Sequence, residues 1–267
     1  MLQAIEYIGA ENLEDLAVSA HKPAPGIYVY VGMDGRIFSI VKNEKRVDFN
    51  SKYKMMDYYS GLVSMQKPVK SKLIFSNNYL TFFCRNTEKL TDKDIDDYFS
   101  AAGMPDDYSF YKDVVKENIR GFEKGKTDIV KFFLLDEPEL YRELGMKNWI
   151  AKSTSKQLVP RSDPAIKGKG FPVSCSYNTK KPYQMSKMFV VDDNEGLQIK
   201  LFHDILKGLK YRGYNMLVVG KDLFIPLKPG EMPDRRIDSA IILAFDIEKS
   251  GAVITHIDSI VKYDPYL

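Results

Sequence analysis

The sequence predicts an α+β fold: mixed helices and antiparallel hairpins, with a long basic loop region in the middle. Three observations carry this. Short β-rich runs stand in pairs across tight polar turns. Longer segments space their apolar residues at helical intervals. The two kinds of element are mixed, without the regular strand–helix alternation of a parallel sheet. The 267-residue chain is 44% apolar and 28% charged, an ordinary core-forming composition at the upper edge of one domain or the size of two small ones.

The elements follow in order. Residues 2–17 place Leu2, Ile5, Ile8, Leu13 and Leu16 on one helical stripe, interrupted near Gly9 and broken by Pro23 and Pro25. Runs 27–31 and 36–41 read as strands joined by Gly32-Met33-Asp34-Gly35, whose Asp-Gly pair marks a hairpin. Residues 52–66 read as a helix carrying Tyr53, Met56, Tyr59 and Leu62, ended by Pro68. Residues 73–85 read as strand, polar break, strand. Residues 90–99 form a helix with Thr91 as N-cap and Asp94 three positions on, where an acid favours the helix N-terminus. Residues 108–123 continue helical, 128–135 are a buried strand and 137–150 another helix.

Residues 153–170 lack apolar period and hold Ser, Thr, Pro and Gly at loop frequency. Beyond them, 187–191 reads as a strand and 197–211 as a helix (Leu197, Leu201, Ile205, Leu209). Two further hairpins follow: 216–219 with 223–227 across Gly220-Lys221-Asp222, and 239–247 with 252–261 across Glu248-Lys249-Ser250-Gly251. The expected organisation is an α+β region over 1–150, a basic nucleic-acid-facing segment over 151–187, and an α+β region over 188–267 that can belong to the same domain as the first.

Composition excludes several functions. The longest apolar runs, such as 240–245, are strand-sized, so no membrane-spanning helix is expected. The acidic N-terminus lacks the basic start of a signal peptide, and two cysteines, Cys84 and Cys175, make no disulfide framework; a reducing, cytoplasmic setting is expected. His21, His203 and His256 match no zinc spacing with them, so no metal or cofactor is expected. No glycine-rich phosphate-binding motif is present, since Gly220-Lys221 is followed by Asp222 rather than Ser or Thr.

Charge is concentrated rather than spread. Residues 151–187 hold Lys152, Lys156, Arg161, Lys167, Lys169, Lys180, Lys181 and Lys187 against the single acid Asp163. The net charge is +3, so this segment carries +7 and the rest of the chain −4. Duplex DNA condenses counterions that a lysine or arginine releases, so clustered cations supply affinity. Gly168 and Gly170 let backbone approach a phosphate closely. Asn178, Lys180 and Lys181 can meet base edges or phosphates, and Pro182 stiffens a turn whose Tyr183 offers a stacking face. The competing account is a solvated loop, with Asn178 bonding its own backbone.

Two stretches carry a resemblance. Residues 57–83, DYYSGLVSMQKPVKSKLIFSNNYLTFF, set Tyr58-Tyr59-Ser60, Lys67-Pro68 and Ser76-Asn77-Asn78-Tyr79 in order; residues 175–183 read CSYNTKKPY. Together they resemble the large subunit of type I-B CRISPR Cascade, over most of the chain and weakly between the motifs. Family members are longer, so the chain resembles an N-terminal portion without the C-terminal helical bundle.

The resemblance implies a non-catalytic subunit near the 5′ end of the guide CRISPR RNA. Its partners would be the Cascade backbone and foot subunits, target double-stranded DNA and the helicase-nuclease it helps recruit. The guide reads the long target by base pairing, while protein reads the short flanking motif.

Lys67, Lys70, Lys72, Asn77 and Asn78 are candidate accessory nucleic-acid contacts; the alternative for the two asparagines is a tight turn using their tolerance of left-handed backbone. The aromatics Phe82, Phe83, Phe132 and Phe133 sit in apolar runs and are expected in the core. Two other functions compete. One is a metal-dependent nuclease drawing on Asp192 and Asp193 or on Asp92, Asp94, Asp96 and Asp97. The other is a protein-interaction module whose basic loop binds an acidic partner.

Overall fold

The structure, a computed structural model, describes residues 2–43, 51–63, 73–122, 129–151, 169–173, 187–191, 193–248 and 251–265. The elements run α1 (Leu2–Ile8), α2 (Ala10–Ala20), β1 (Gly26–Val31), β2 (Ile37–Asn43), α3 (Ser51–Ser60), β3 (Thr81–Arg85), α4 (Asp92–Ala101), α5 (Ser109–Asn118), β4 (Ile129–Leu134) and α6 (Pro138–Ala151). They continue with β5 (Lys169–Val173), β6 (Lys187–Val191), α7 (Asp193–Tyr211), β7 (Met216–Gly220), β8 (Leu223–Leu227), β9 (Ala240–Glu248) and β10 (Gly251–Ile260). The fold is α+β, in two compact units: Lys22–Lys152, and Met1–His21 together with Ser153–Leu267.

The Lys22–Lys152 unit is built on a four-stranded sheet in the order β2-β1-β4-β3. The Gly32–Gly35 turn closes β1 onto β2, with Gly35 at φ +77° and the Gly32 N–H donating to the Arg36 carbonyl at 2.8 Å. The sheet is mixed rather than wholly antiparallel, because β1 pairs with β4 in parallel. Both strands are buried along their whole length, as befits parallel strands covered on two faces.

Strand register sorts the side chains of this sheet. Tyr28 and Phe83 both stand beside Lys131, while Val29 and Phe82 stand beside Phe132. Helix α3 covers the lysine face, with the Tyr53 ring tilted against that of Tyr30 at 4.5 Å between ring centroids. On the other face Phe82 meets Tyr98 and Phe99 of α4 at 5.3 and 5.8 Å, and Phe99 meets Tyr111 of α5 at 5.7 Å. Phe82, Phe83, Phe132 and Phe133 are therefore core, as the sequence expects. Thr91 caps α4 in a capping box: its hydroxyl accepts from the Asp94 N–H at 3.3 Å, and Asp94 accepts from the Thr91 N–H at 2.9 Å.

The second unit holds a sheet ordered β10-β9-β7-β8 and a separate pair β5-β6. The β7–β8 turn is two residues long, with Asp222 at φ +57°, a left-handed conformation that fits the twist of a hairpin. Gly9, at φ +80°, separates α1 from α2 as the sequence expects. The sequence reading groups these two helices with residues 22–150, yet they pack with the C-terminal part: α2 buries Leu13, Ala17 and Ala20 and lies on α7. A second difference concerns Lys169 and Gly170, read as loop; the backbone places them in β5, opposite Val191 and Val190.

Close approach of α2 to α7 requires a glycine. A Cβ at Gly208 would stand 2.2 Å from the Ala20 carbonyl oxygen, a backbone atom that cannot swing aside. In an exposed helix interior Gly→Ala stabilises by up to about 1 kcal/mol. At Gly208 the sign reverses: Gly208→Ala is expected to destabilise by about 1–3 kcal/mol through overpacking. Urea unfolding checks this, and a midpoint raised by the substitution contradicts it.

Candidate functional site

Helix α3 and the connection into β3 are the parts of the resemblance-carrying motifs that fall on described residues, and the fold brings them together. Asn77 Nδ2 donates to the Tyr59 carbonyl at 2.8 Å, and Asn78 Nδ2 to the Ser60 hydroxyl at 3.1 Å. The Asn78 carboxamide oxygen accepts from the Leu80 N–H at 3.0 Å, and the Ser76 hydroxyl accepts from the Phe83 N–H at 3.0 Å. Tyr98 donates to the carbonyls of Asn78 and Thr81, Tyr141 to those of Leu80 and Leu134, and Asn148 Nδ2 to that of Asn77. A chain segment that enters the interior must satisfy the backbone groups it takes from water, and these side chains satisfy several of them.

This corrects the reading of Asn77 and Asn78 as accessory nucleic-acid contacts. They are 0% and 1% exposed, and their carboxamides serve the protein's own backbone and side chains. Nor do they use left-handed backbone, since Asn86 and Asp222 are the non-glycine residues at positive φ among those described. Asn78 instead closes its turn through its side chain.

Beside this network lies a buried ion pair. Lys131 Nζ donates to the Asp57 carboxylate, with both side chains buried. The ammonium stands 4.6 Å from the Phe83 ring centroid and 5.1 Å from that of Tyr28, so two aromatic faces flank it. Burial first, then the Asp57 charge, pushes the Tyr30 hydroxyl pKa up, so Tyr30 stays neutral. The lysine is a central-strand residue and the aspartate a helix residue 74 positions away, so the pair ties α3 to β4.

At the C-terminal end of β4 a smaller polar group forms. Tyr108 donates to Asp136 at 3.0 Å and meets Tyr79 edge-on at 5.3 Å. The hydrogen bond to Asp136, followed by burial, raises the Tyr108 pKa from 10 to about 12. A raised folded-state value stabilises the fold fully below pH 10, and that contribution fades as pH rises toward 12. Asp136→Asn should return the Tyr108 titration toward 10, as followed by NMR of the ring carbon that bears the hydroxyl; an unmoved titration contradicts the assignment.

Three acids of the nuclease alternative are engaged in ion pairs or a helix cap. Asp92 pairs with Arg120 at 2.6 Å, Asp94 completes the α4 cap, and Asp96 sits between Lys116 at 2.6 Å and Lys112 at 3.3 Å. The hydrogen bond from Lys116 leads in holding the Asp96 carboxyl below its ordinary range. Asp97 is exposed, Asp193 opens α7, and Asp192 lies outside the described residues. His203 donates through Nδ1 to the Ala252 carbonyl at 3.0 Å, and burial lowers its pKa. Among the described residues no three His, Cys, Asp or Glu side chains group so as to hold a metal ion.

Of the predicted DNA-contacting residues, Lys152, Lys156, Arg161, Lys167, Asn178, Lys180, Lys181 and Tyr183 lie outside the described residues, as do Lys67, Lys70 and Lys72. Lys169 begins β5. Sequence reasoning missed Lys131 and the roles of Tyr98 and Tyr141. A signal existed for the first: a lone lysine inside the apolar run Ile129-Val130-Lys131-Phe132-Phe133-Leu134 calls for a buried acid.

Among the described residues no helix is long and apolar enough to cross a membrane. Comparison with known proteins finds no matching family model, no matching curated protein and no matching solved structure.

Proposed function

We propose that this chain is a non-catalytic large subunit of an RNA-guided CRISPR surveillance complex of type I-B. In that role it helps recognise the motif flanking the DNA target, binds target DNA and recruits the helicase-nuclease in antiviral defence. The observation that carries the reading is the charge asymmetry: residues 151–187 hold +7 in a chain whose remainder is −4. A concentrated cation stretch is the electrostatic footprint of phosphate binding.

Within the segment, two roles separate. Lys167 and Lys169 flank Gly168 and suit phosphate contact. Asn178 and Lys181, in the sequence Asn-x-Lys-Lys-Pro, suit base-edge reading. In the assembled complex, Lys167→Ala and Lys169→Ala should weaken binding to all targets alike. Asn178→Ala and Lys181→Ala should cost ~1–3 kcal/mol on the preferred flanking motif and less on poor ones. A panel of flanking sequences at several salt concentrations measures this. Equal losses across the panel for all four variants remove the reading role, and unchanged binding for all four removes the interface.

A further inference from the structure

The tip of the β1–β2 hairpin carries a chemically reactive pair. Asp34 is the chain's one aspartate followed by glycine, and no asparagine is followed by one. Where glycine comes next, no Cβ shields the following amide nitrogen from the aspartate side chain. The Asp34 carboxylate is already turned toward that backbone. Its Oδ1 accepts from the Arg36 N–H at 3.0 Å, which lays the side chain along the stretch that contains the Gly35 nitrogen. The side chain is also 61% exposed, so water reaches it. One bond opposes reaction: the Gly35 N–H donates to the Gly32 carbonyl at 3.0 Å and must let go of it. A hydrogen bond in an exposed turn opens at far lower cost than the whole fold.

We propose that Asp34 is a modification site, converting spontaneously to isoaspartate in the folded protein. The Gly35 nitrogen attacks Cγ of the protonated Asp34 carboxyl. A Cγ–N bond forms, the amide proton and the carboxyl hydroxyl leave together as water, and a succinimide ring closes. Solvent water then opens the ring. Attack at the side-chain carbonyl returns aspartate; attack at the main-chain carbonyl leaves isoaspartate, with the main chain routed through Cβ. No oxidant or cofactor takes part. Nucleophile and carboxyl sit on neighbouring residues, so ring closure has the advantage of an intramolecular reaction. The product adds one main-chain atom to a turn that the Gly32 N–H closes onto the Arg36 carbonyl at 2.8 Å. The inference concerns backbone chemistry and does not depend on the nucleic-acid reading.

Prolonged incubation of the folded chain in heavy-oxygen water tests it, at a mildly acidic pH where carboxylates begin to take up protons. Ring opening incorporates one heavy oxygen, so after proteolysis the peptide holding Asp34 should gain mass, and a share of it should change retention as isoaspartate. Asp34→Glu keeps the charge but lengthens the side chain, and should take up no label there. Peptides holding Asp222 and Asp258, exposed but followed by Leu223 and Ser259, should gain far less. Absence of label at Asp34 overturns the proposal, as does uptake confined to the urea-unfolded chain. Uptake by Asp34→Glu equal to that of the parent overturns the succinimide route, and equal uptake at Asp34, Asp222 and Asp258 overturns the role given to Gly35.

Discussion

Lys131→Ala should destabilise the Lys22–Lys152 unit by about 3–5 kcal/mol, because it leaves the Asp57 carboxylate buried without its ammonium. The loss is larger than that of an average core truncation, since the loss of a buried ionic partner is added to the missing packing against Tyr28 and Phe83. Replacing both partners, Asp57→Asn with Lys131→Met, removes the charge and keeps apolar bulk between the rings. It should recover most of the loss, as paired buried ions commonly do when both are neutralised. Trp149 is the chain's one tryptophan and lies buried in this unit, so its fluorescence in urea reports this unfolding. A single-variant loss below ~1 kcal/mol, or a double variant worse than Lys131→Ala, contradicts the role given to the pair.

Neutralising the basic segment should abolish salt-sensitive DNA binding while the fold persists. With Lys156, Arg161, Lys167, Lys169, Lys180 and Lys181 all changed to alanine, the slope of log affinity against log salt should flatten by about 0.9 for each phosphate no longer neutralised. Affinity at low salt should drop on the order of 10²–10³ if several of the six touch phosphate. The segment lacks apolar periodicity, and surface changes away from special features usually shift stability by under ~0.5 kcal/mol each. Thermal melts of the same variant therefore serve as the control. A large drop in melting temperature would make these residues structural, and an unchanged salt slope would return the segment to a solvated loop.

Local features were legible in the sequence because local chemistry decides them. Gly9 breaks the first helix, Gly35 closes the first hairpin, and Thr91 with Asp94 caps α4, each from residues within a few positions of one another. Long-range features were not. The parallel pairing of β1 with β4 leaves no trace in either strand, since a run buried on both faces shows no alternation. The packing of α2 on α7 depends on Ala20 meeting Gly208, and neither residue carries a signal of the other. Asn77 and Asn78 mislead for a different reason: polarity suggests the surface, whereas here it satisfies backbone groups inside. Asp57 stood in plain view within a motif, yet its partner is a strand residue 74 positions on.

Copurification decides the central claim. The chain, tagged and expressed with its neighbouring genes, should bring down a guide RNA and repeated backbone subunits in a complex of fixed stoichiometry. That complex should bind duplex DNA matching the guide beside a preferred flanking motif, and the chain alone, incubated with DNA and Mg²⁺ or Mn²⁺, should cleave nothing. A chain that purifies without RNA or backbone subunits, and whose metal-dependent DNA cleavage disappears in an Asp192→Ala, Asp193→Ala double variant, contradicts the account and favours a free-standing nuclease.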